Sequence, residues 1–194
     1  MQSVLLDTPS GIEARLGWDP KVDIHDRRRL LARELVADRL GLAMTDVRVD
    51  REAPSVFGYH TRLIATRGKE VEIPLTIATA SFRSATVVAI ADPAVPIGLD
   101  IRDISPDEQS VHEMRRHSHL FDEANTSSLL AHWTRVQAVL EADGRGNRVR
   151  PEHVRLDSPL DKGWVNDRHV KYALRDISRD GWLITLASAP PRKA

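Results

Sequence analysis

The order in which helical and strand-like periodicities alternate constrains the fold of this chain more than any other feature. A helix is predicted from about Ile24 to Leu40. Asp23 can cap its free amides, Leu31, Leu35 and Val36 recur at helical spacing, and Gly41 stands where a left-handed terminal residue is needed. Strands follow. Asp46 to Asp50 (DVRVD) alternates, and Arg62 to Thr79 reads as a hairpin, RLIAT and VEIPLTIAT about a turn at Arg67–Gly68–Lys69. Pro74 would suit an edge or a bulge. Ala85 to Ala91 (ATVVAIA) is strongly apolar, and Ile97 to Ile101 is the next strand. The order then restarts. Ser105-Pro106-Asp107-Glu108 places serine at the cap, proline at the first helical position and glutamate two further on, opening a second helix to about Leu120. A third spans about Ser128 to Ala142, with Leu129, Leu130, Trp133, Val136 and Leu140 on its apolar face and Gly144 and Gly146 to stop it. Strands at His153 to Leu156, His169 to Arg175 and Trp182 to Ala187 close the chain, the last two joined by a turn at Ser178–Gly181.

Helix then strands, twice over, predicts an α+β fold: two pseudo-repeated halves, residues 1–104 and 105–194, each a long helix packed on a small antiparallel sheet. With 194 residues the halves are expected to pack as one compact body with a real core. The absence of cysteine rules out disulfides and cysteine-ligated metal sites. Lys and Arg number 28 and so do Asp and Glu, so the net charge is zero, which argues against a general nucleic-acid binder. The most apolar stretch, Ser84 to Ile101, is interrupted by Asp92, Pro93, Pro96 and Asp100, and no apolar signal core precedes Leu16. A cytoplasmic protein without a membrane partner is expected.

Chemistry concentrates in Pro96-Ile-Gly-Leu-Asp-Ile-Arg102. A carboxylate within an apolar strand must be paired, hydrogen-bonded or metal-bound to offset its desolvation. Two readings stay open for Asp100: a site residue, or a strand-end aspartate paired with Arg102 or another basic group.

Together with other landmarks, this element resembles the GIDIE motif of the 4′-phosphopantetheinyl transferases. Residues 133–146, WTRVQAVLEADGRG, are similar to the family's WTxKEAxxKAxGxG, matching at Trp133, Thr134, Ala138, Ala142, Gly144 and Gly146. Ile77-Ala-Thr-Ala-Ser-Phe82 sits where the family carries an SHS element, and the basic segment RRRLLARELVADRLGL is similar to its N-terminal helix. The terminal GWLITLASA also resembles the family, so the likeness runs from about Arg27 to Ala189. It implies transfer of the phosphopantetheine arm of coenzyme A to a serine of an acyl or peptidyl carrier protein, assisted by magnesium. It also implies a surfactin-type monomer with pseudo-dimeric halves, the pyrophosphate and metal lying between them.

Residue by residue, the framework agrees and the chemistry departs. Asp100 matches the motif's metal-binding aspartate, but Arg102 stands for its final glutamate. Adjacent Asp103 points to the other strand face. Gln137 holds the place of the catalytic glutamate, Val136 and Glu141 those of two lysines, and Ala80 that of the coenzyme-binding histidine, flanked by Thr79 and Ser81. Magnesium prefers several hard oxygen ligands. An amide cannot take a proton as a carboxylate does, and a positioned general base contributes about 10²–10⁴ in rate. Arg102 puts a cation where the metal belongs, and an arginine can bind phosphate directly. Arg27, Arg28 and Arg29 correspond to basic residues that bind the coenzyme phosphates; their other reading is a solvated face balanced by Asp23, Asp26 and Glu34. The expectation is therefore a transferase-like protein with weak or lost activity. The alternative is a non-catalytic binder of coenzyme A or of the carrier protein, and a structural partner protein is a third possibility.

Remaining signals are slight. His112 and His117 are five apart, not the four of a zincin, and both of them, like His119, read as surface residues. Asn125-Thr-Ser127 is a formal glycosylation sequon without meaning in a cytosolic protein.

Overall fold

Asp23 and Gly41 frame the first helix, α1 (Ile24–Leu40), as their chemistry requires. Asp23 Oδ1 accepts from the amide of His25 at 2.7 Å, and Gly41 takes a left-handed φ of 61° with its N–H returned to the carbonyls of Ala37 and Asp38. The computed structural model describes residues 1–51, 62–68, 71–117, 126–145 and 148–190. The lysine of the Arg67–Lys69 turn, His119, Gly146, the sequon at Asn125 and the stretch 118–120 assigned to the second helix lie outside them. Two compact units divide the chain, Met1–Ile97 with Pro190, and Gly98–Ala189.

The first unit contains α1 and the strands β1 (Gln2–Leu6), β2 (Ile12–Trp18), β3 (Val47–Arg51), β4 (Leu63–Arg67), β5 (Val71–Ile73), β6 (Thr76–Phe82) and β7 (Ala85–Ala91). They form a four-stranded sheet, β1-β2-β7-β6, and a three-stranded sheet, β3-β4-β5, antiparallel throughout. Leu31, Leu35 and Val36 of α1 share one core with Val47 and Val49 of β3, Leu63 and Ala65 of β4, and Val88 and Ile90 of β7.

The expected second arm of the Arg62–Thr79 hairpin is two strands, not one. Proline has no N–H to give a ladder. At Pro74 the chain turns, Leu75 N donating to Ile73 O at 2.8 Å. β5 pairs with β4 through Ala65 opposite Ile73, whereas β6 joins the other sheet with Thr76 opposite Ala91. β1 and β2 are additions to the expected set, as is the strand over Lys162–Val165 in the second unit. The alternation of Ile12, Ala14 and Leu16 with Glu13 and Arg15 is a strand signal, and those three residues are buried on one face of β2, the strand between β1 and β7.

The second unit holds β8 (Ile97–Asp103) from Gly98 onward, α2 (Glu108–Arg115), α3 (Thr126–Asp143), β9 (Val154–Leu156), β10 (Lys162–Val165), β11 (Tyr172–Asp176) and β12 (Trp182–Ser188). Its sheet has the order β8-β12-β11-β10-β9, with β9 to β12 antiparallel. The cap of α2 is Asp107, not Ser105. Asp107 Oδ1 accepts from Ser110 N at 2.8 Å, and its carbonyl takes the first helical bond from Val111 N at 3.0 Å. Carboxylate and serine compete for such a position on nearly equal terms, and Asp103 has already captured the amide of Ser105 at 2.9 Å. On α3, Val136, Val139 and Leu140 pack with Val154, Val165, Tyr172, Leu174 and Ala187, while Leu129, Leu130 and Trp133 pack with Met114 of α2. Gly144 ends α3 at φ 77°. The chain is thus a mixed α+β protein with several antiparallel sheets, and none of its described helices is long and apolar enough to cross a membrane.

Candidate functional site

In the second unit, Gly98 sets where β8 lies against α3. A Cβ built on Gly98 would stand 2.3 Å from both the carbonyl oxygen of Ala138 and the amide nitrogen of Ala142. No other residue type allows the strand so close to the helix backbone. Strand alternation then turns Asp100 and Arg102 to the same face as Gly98, toward α3. Asp100 lies within electrostatic reach of Glu141, and Gln137 precedes Glu141 by one helical turn on the same side of α3. The Asp100 and Gln137 positions expected from the motif therefore share the β8–α3 interface.

Of the two readings of Asp100, the structure realises the ion pair. Arg102 Nε donates to Oδ2 at 3.0 Å and Nη2 to Oδ1 at 3.4 Å, so both carboxylate oxygens face one guanidinium. Asp100 keeps 13% of its side-chain exposure and Arg102 23%. Burial pushes the Asp100 carboxyl up to about 7, opposed by Arg102 and reinforced by the negative charge of Glu141. As a donor set for magnesium this is poor: the Asp100 carboxylate is already forked by arginine and Gln137 offers only an amide, which leaves Glu141 as the one other carboxylate within electrostatic reach of Asp100 among the described residues. Among the described residues no group of three or more histidine, aspartate or glutamate side chains could hold a metal ion.

The basic cluster of the first unit is three residues with three different roles. Arg27 is 4% exposed, and its guanidinium donates to Asp19 O at 3.0 Å, Val22 O at 2.5 Å, Arg83 O at 2.7 Å and Thr86 Oγ1 at 3.1 Å. It fastens α1 to the loop before it and to the β6–β7 turn, and its donors are engaged there. Arg28 is half-buried and donates from Nε to Ser81 Oγ at 3.1 Å; Ser81 Oγ in turn lies 3.0 Å from Thr86 Oγ1. Arg29 is 45% exposed and lies 3.7 Å from Asp26, its partner on the preceding turn.

β6 presents Ile77, Thr79 and Ser81 on the face toward α1, since Ile77 packs into the α1 core and Ser81 meets Arg28. Ala80 occupies the opposite face. The structure thus brings Arg28 and Ser81 together, places Thr79 on their side of the strand, and leaves Arg29 at the surface.

Thr86 is the member of this network that sequence reasoning passed over. Its hydroxyl links the Arg27 and Arg28 arms while being fully buried. The signal was available: a lone hydroxyl in the apolar run ATVVAIA must find a partner. His117 also departs from expectation. His112 is exposed as expected, but His117 stacks on Trp133 with ring centroids 4.9 Å apart, and its Nδ1 lies 3.1 Å from Glu152 Oε1. The partners are too distant in the chain for local spacing to reveal. No family model matches the chain, and no curated protein matches it either.

Proposed function

We propose that this chain is a 4′-phosphopantetheinyl-transferase-like protein that binds coenzyme A, with a transfer step that is weak or lost. The observation that carries the reading is the register of β8 on α3. Gly98 lies on the Ala138–Ala142 backbone, so the two stretches that resemble the family's motifs, Gly98–Arg102 and Trp133–Gly144, meet with Asp100 on the shared face. Contact between Arg28 and Ser81 adds support, because they lie 53 residues apart in two segments that the resemblance relates to coenzyme binding. In this reading the units are pseudo-repeats, α1 on the β1-β2-β7-β6 sheet and α3 on the β8-β12-β11-β10-β9 sheet.

Binding without transfer is the second reading, and Gln137 favours it. Transfer requires a group that accepts the proton of the carrier serine, and a neutral amide has no basicity for that task. The test is to incubate the full chain with coenzyme A, magnesium and a panel of apo carrier proteins, then weigh each carrier, with an active transferase as control. A carrier that gains the phosphopantetheine mass establishes transfer. With none modified, a coenzyme A-dependent rise in melting temperature assigns the protein as a binder, and no rise at millimolar ligand rejects both readings.

A further inference from the structure

We infer that Arg102 occupies, as a tethered cation, the position on Asp100 that a divalent metal would need, so that a phosphate-bearing ligand of this chain is bound without magnesium. The ligand clause rests on the coenzyme A reading above; the exclusion of metal stands on the Asp100–Arg102 geometry. Both oxygens of Asp100 face the guanidinium, at 3.0 and 3.4 Å. Magnesium demands oxygen ligands near 2.1 Å in octahedral array and would stand beside a permanent positive charge. It would have to break this pair and endure the repulsion of Arg102. The pair is also sheltered, Asp100 being 13% exposed, so water screens the repulsion weakly. Arginine keeps its charge at any working pH, and its fork of donors suits phosphate oxygens as well as a carboxylate. The position therefore retains a cation but takes it from the chain.

Substitution should convert the site. Arg102→Glu would put a second carboxylate two residues from Asp100 on the same strand face, with Glu141 within electrostatic reach, which makes an acidic set for a hard divalent cation. The probe is manganese, followed by the loss of its free-ion paramagnetic resonance signal in the presence of full-length protein. Wild type should leave the signal unchanged at about 1 mM manganese, and R102E should deplete it, with the further change Asp100→Asn abolishing the gain. Manganese bound by wild type and released by D100N overturns the inference. So does an R102E variant that keeps the wild-type circular dichroism yet binds no manganese. If R102E fails to fold, the wild-type and D100N spectra still decide the matter.

The ligand clause is tested separately, by melting wild-type protein with coenzyme A in EDTA and in magnesium. Equal shifts support it. A shift only in magnesium overturns the metal-free clause while leaving coenzyme binding in place. No shift in either buffer rejects the coenzyme reading, and the manganese spectra still judge Arg102.

Discussion

Replacing Gly98 by alanine is the most direct test of how β8 is seated on α3. The new methyl carbon would lie 2.3 Å from Ala138 O and Ala142 N and 2.9 Å from Ala142 Cα. All three are helix backbone, so no rotamer change can relieve the overlap. Reaching an ordinary contact of about 3.5 Å requires strand and helix to part by about 1 Å. That separation loosens the packing of Val136, Val139 and Leu140 against the sheet, where each is nearly fully buried. Overpacking a well-filled core costs about 1–3 kcal/mol, and a backbone obstacle belongs at the upper end. With a urea dependence of about 2 kcal/mol per molar, the midpoint should fall by about 1.5 M. Tryptophan fluorescence is a suitable readout, because Trp133, Trp164 and Trp182 all belong to the second unit. Gly144→Ala is the control: its Cβ meets nothing within 4 Å, and only its φ of 77° is strained, which costs about 1 kcal/mol. A G98A midpoint within experimental error of wild type would refute the close approach and, with it, the placement of Asp100 toward α3.

Other outcomes follow from the same contacts. Because burial raises the Asp100 carboxyl from its ordinary 3.8 to about 7, its contribution to stability is complete below about pH 4 and is lost as the pH rises to about 7. Across that window wild type should lose up to about 1.4 kcal/mol of stability per pH unit relative to Asp100→Asn, measured by urea unfolding at a series of pH values. Arg27→Ala should cost about 2–4 kcal/mol by taking the side-chain donors from three carbonyls and one of the two partners from the Thr86 hydroxyl, which keeps Ser81, whereas exposed Arg29→Ala should change stability by less than about 0.5 kcal/mol in the same assay. Asp143, whose side chain is fully buried between Arg145 and Arg168, should cost about 2–3 kcal/mol when changed to alanine, since the partly exposed arginines recover some hydration.

What was legible in the sequence was what depends on neighbours in the chain. Asp23 and Gly41 act on the amides and carbonyls nearest them, so α1 could be bounded to the residue. Asp100 and Arg102 share a strand face two residues apart, so their pairing is one of the two readings that the sequence itself allows. ATVVAIA is buried along its whole length, and its composition requires that. What was not legible depends on distant partners. VEIPLTIAT carries enough apolar residues for one strand, and only the choice of different sheets by β5 and β6 divides it at Pro74. Arg27 and Arg28 are adjacent and alike on paper, yet one is locked by backbone carbonyls 5 to 56 positions away and the other reaches Ser81. The His117–Trp133–Glu152 contacts join three segments with no common motif.

The proposal that this protein binds coenzyme A is tested most directly by calorimetric titration of coenzyme A into the full chain, alongside the Arg28→Ala variant. Binding should be saturable, one ligand per chain, and weakened about tenfold or more by R28A, as expected for loss of one charge-assisted phosphate contact of about 1.5–3 kcal/mol. A titration without heat beyond dilution, or an affinity that R28A leaves unchanged, would contradict it.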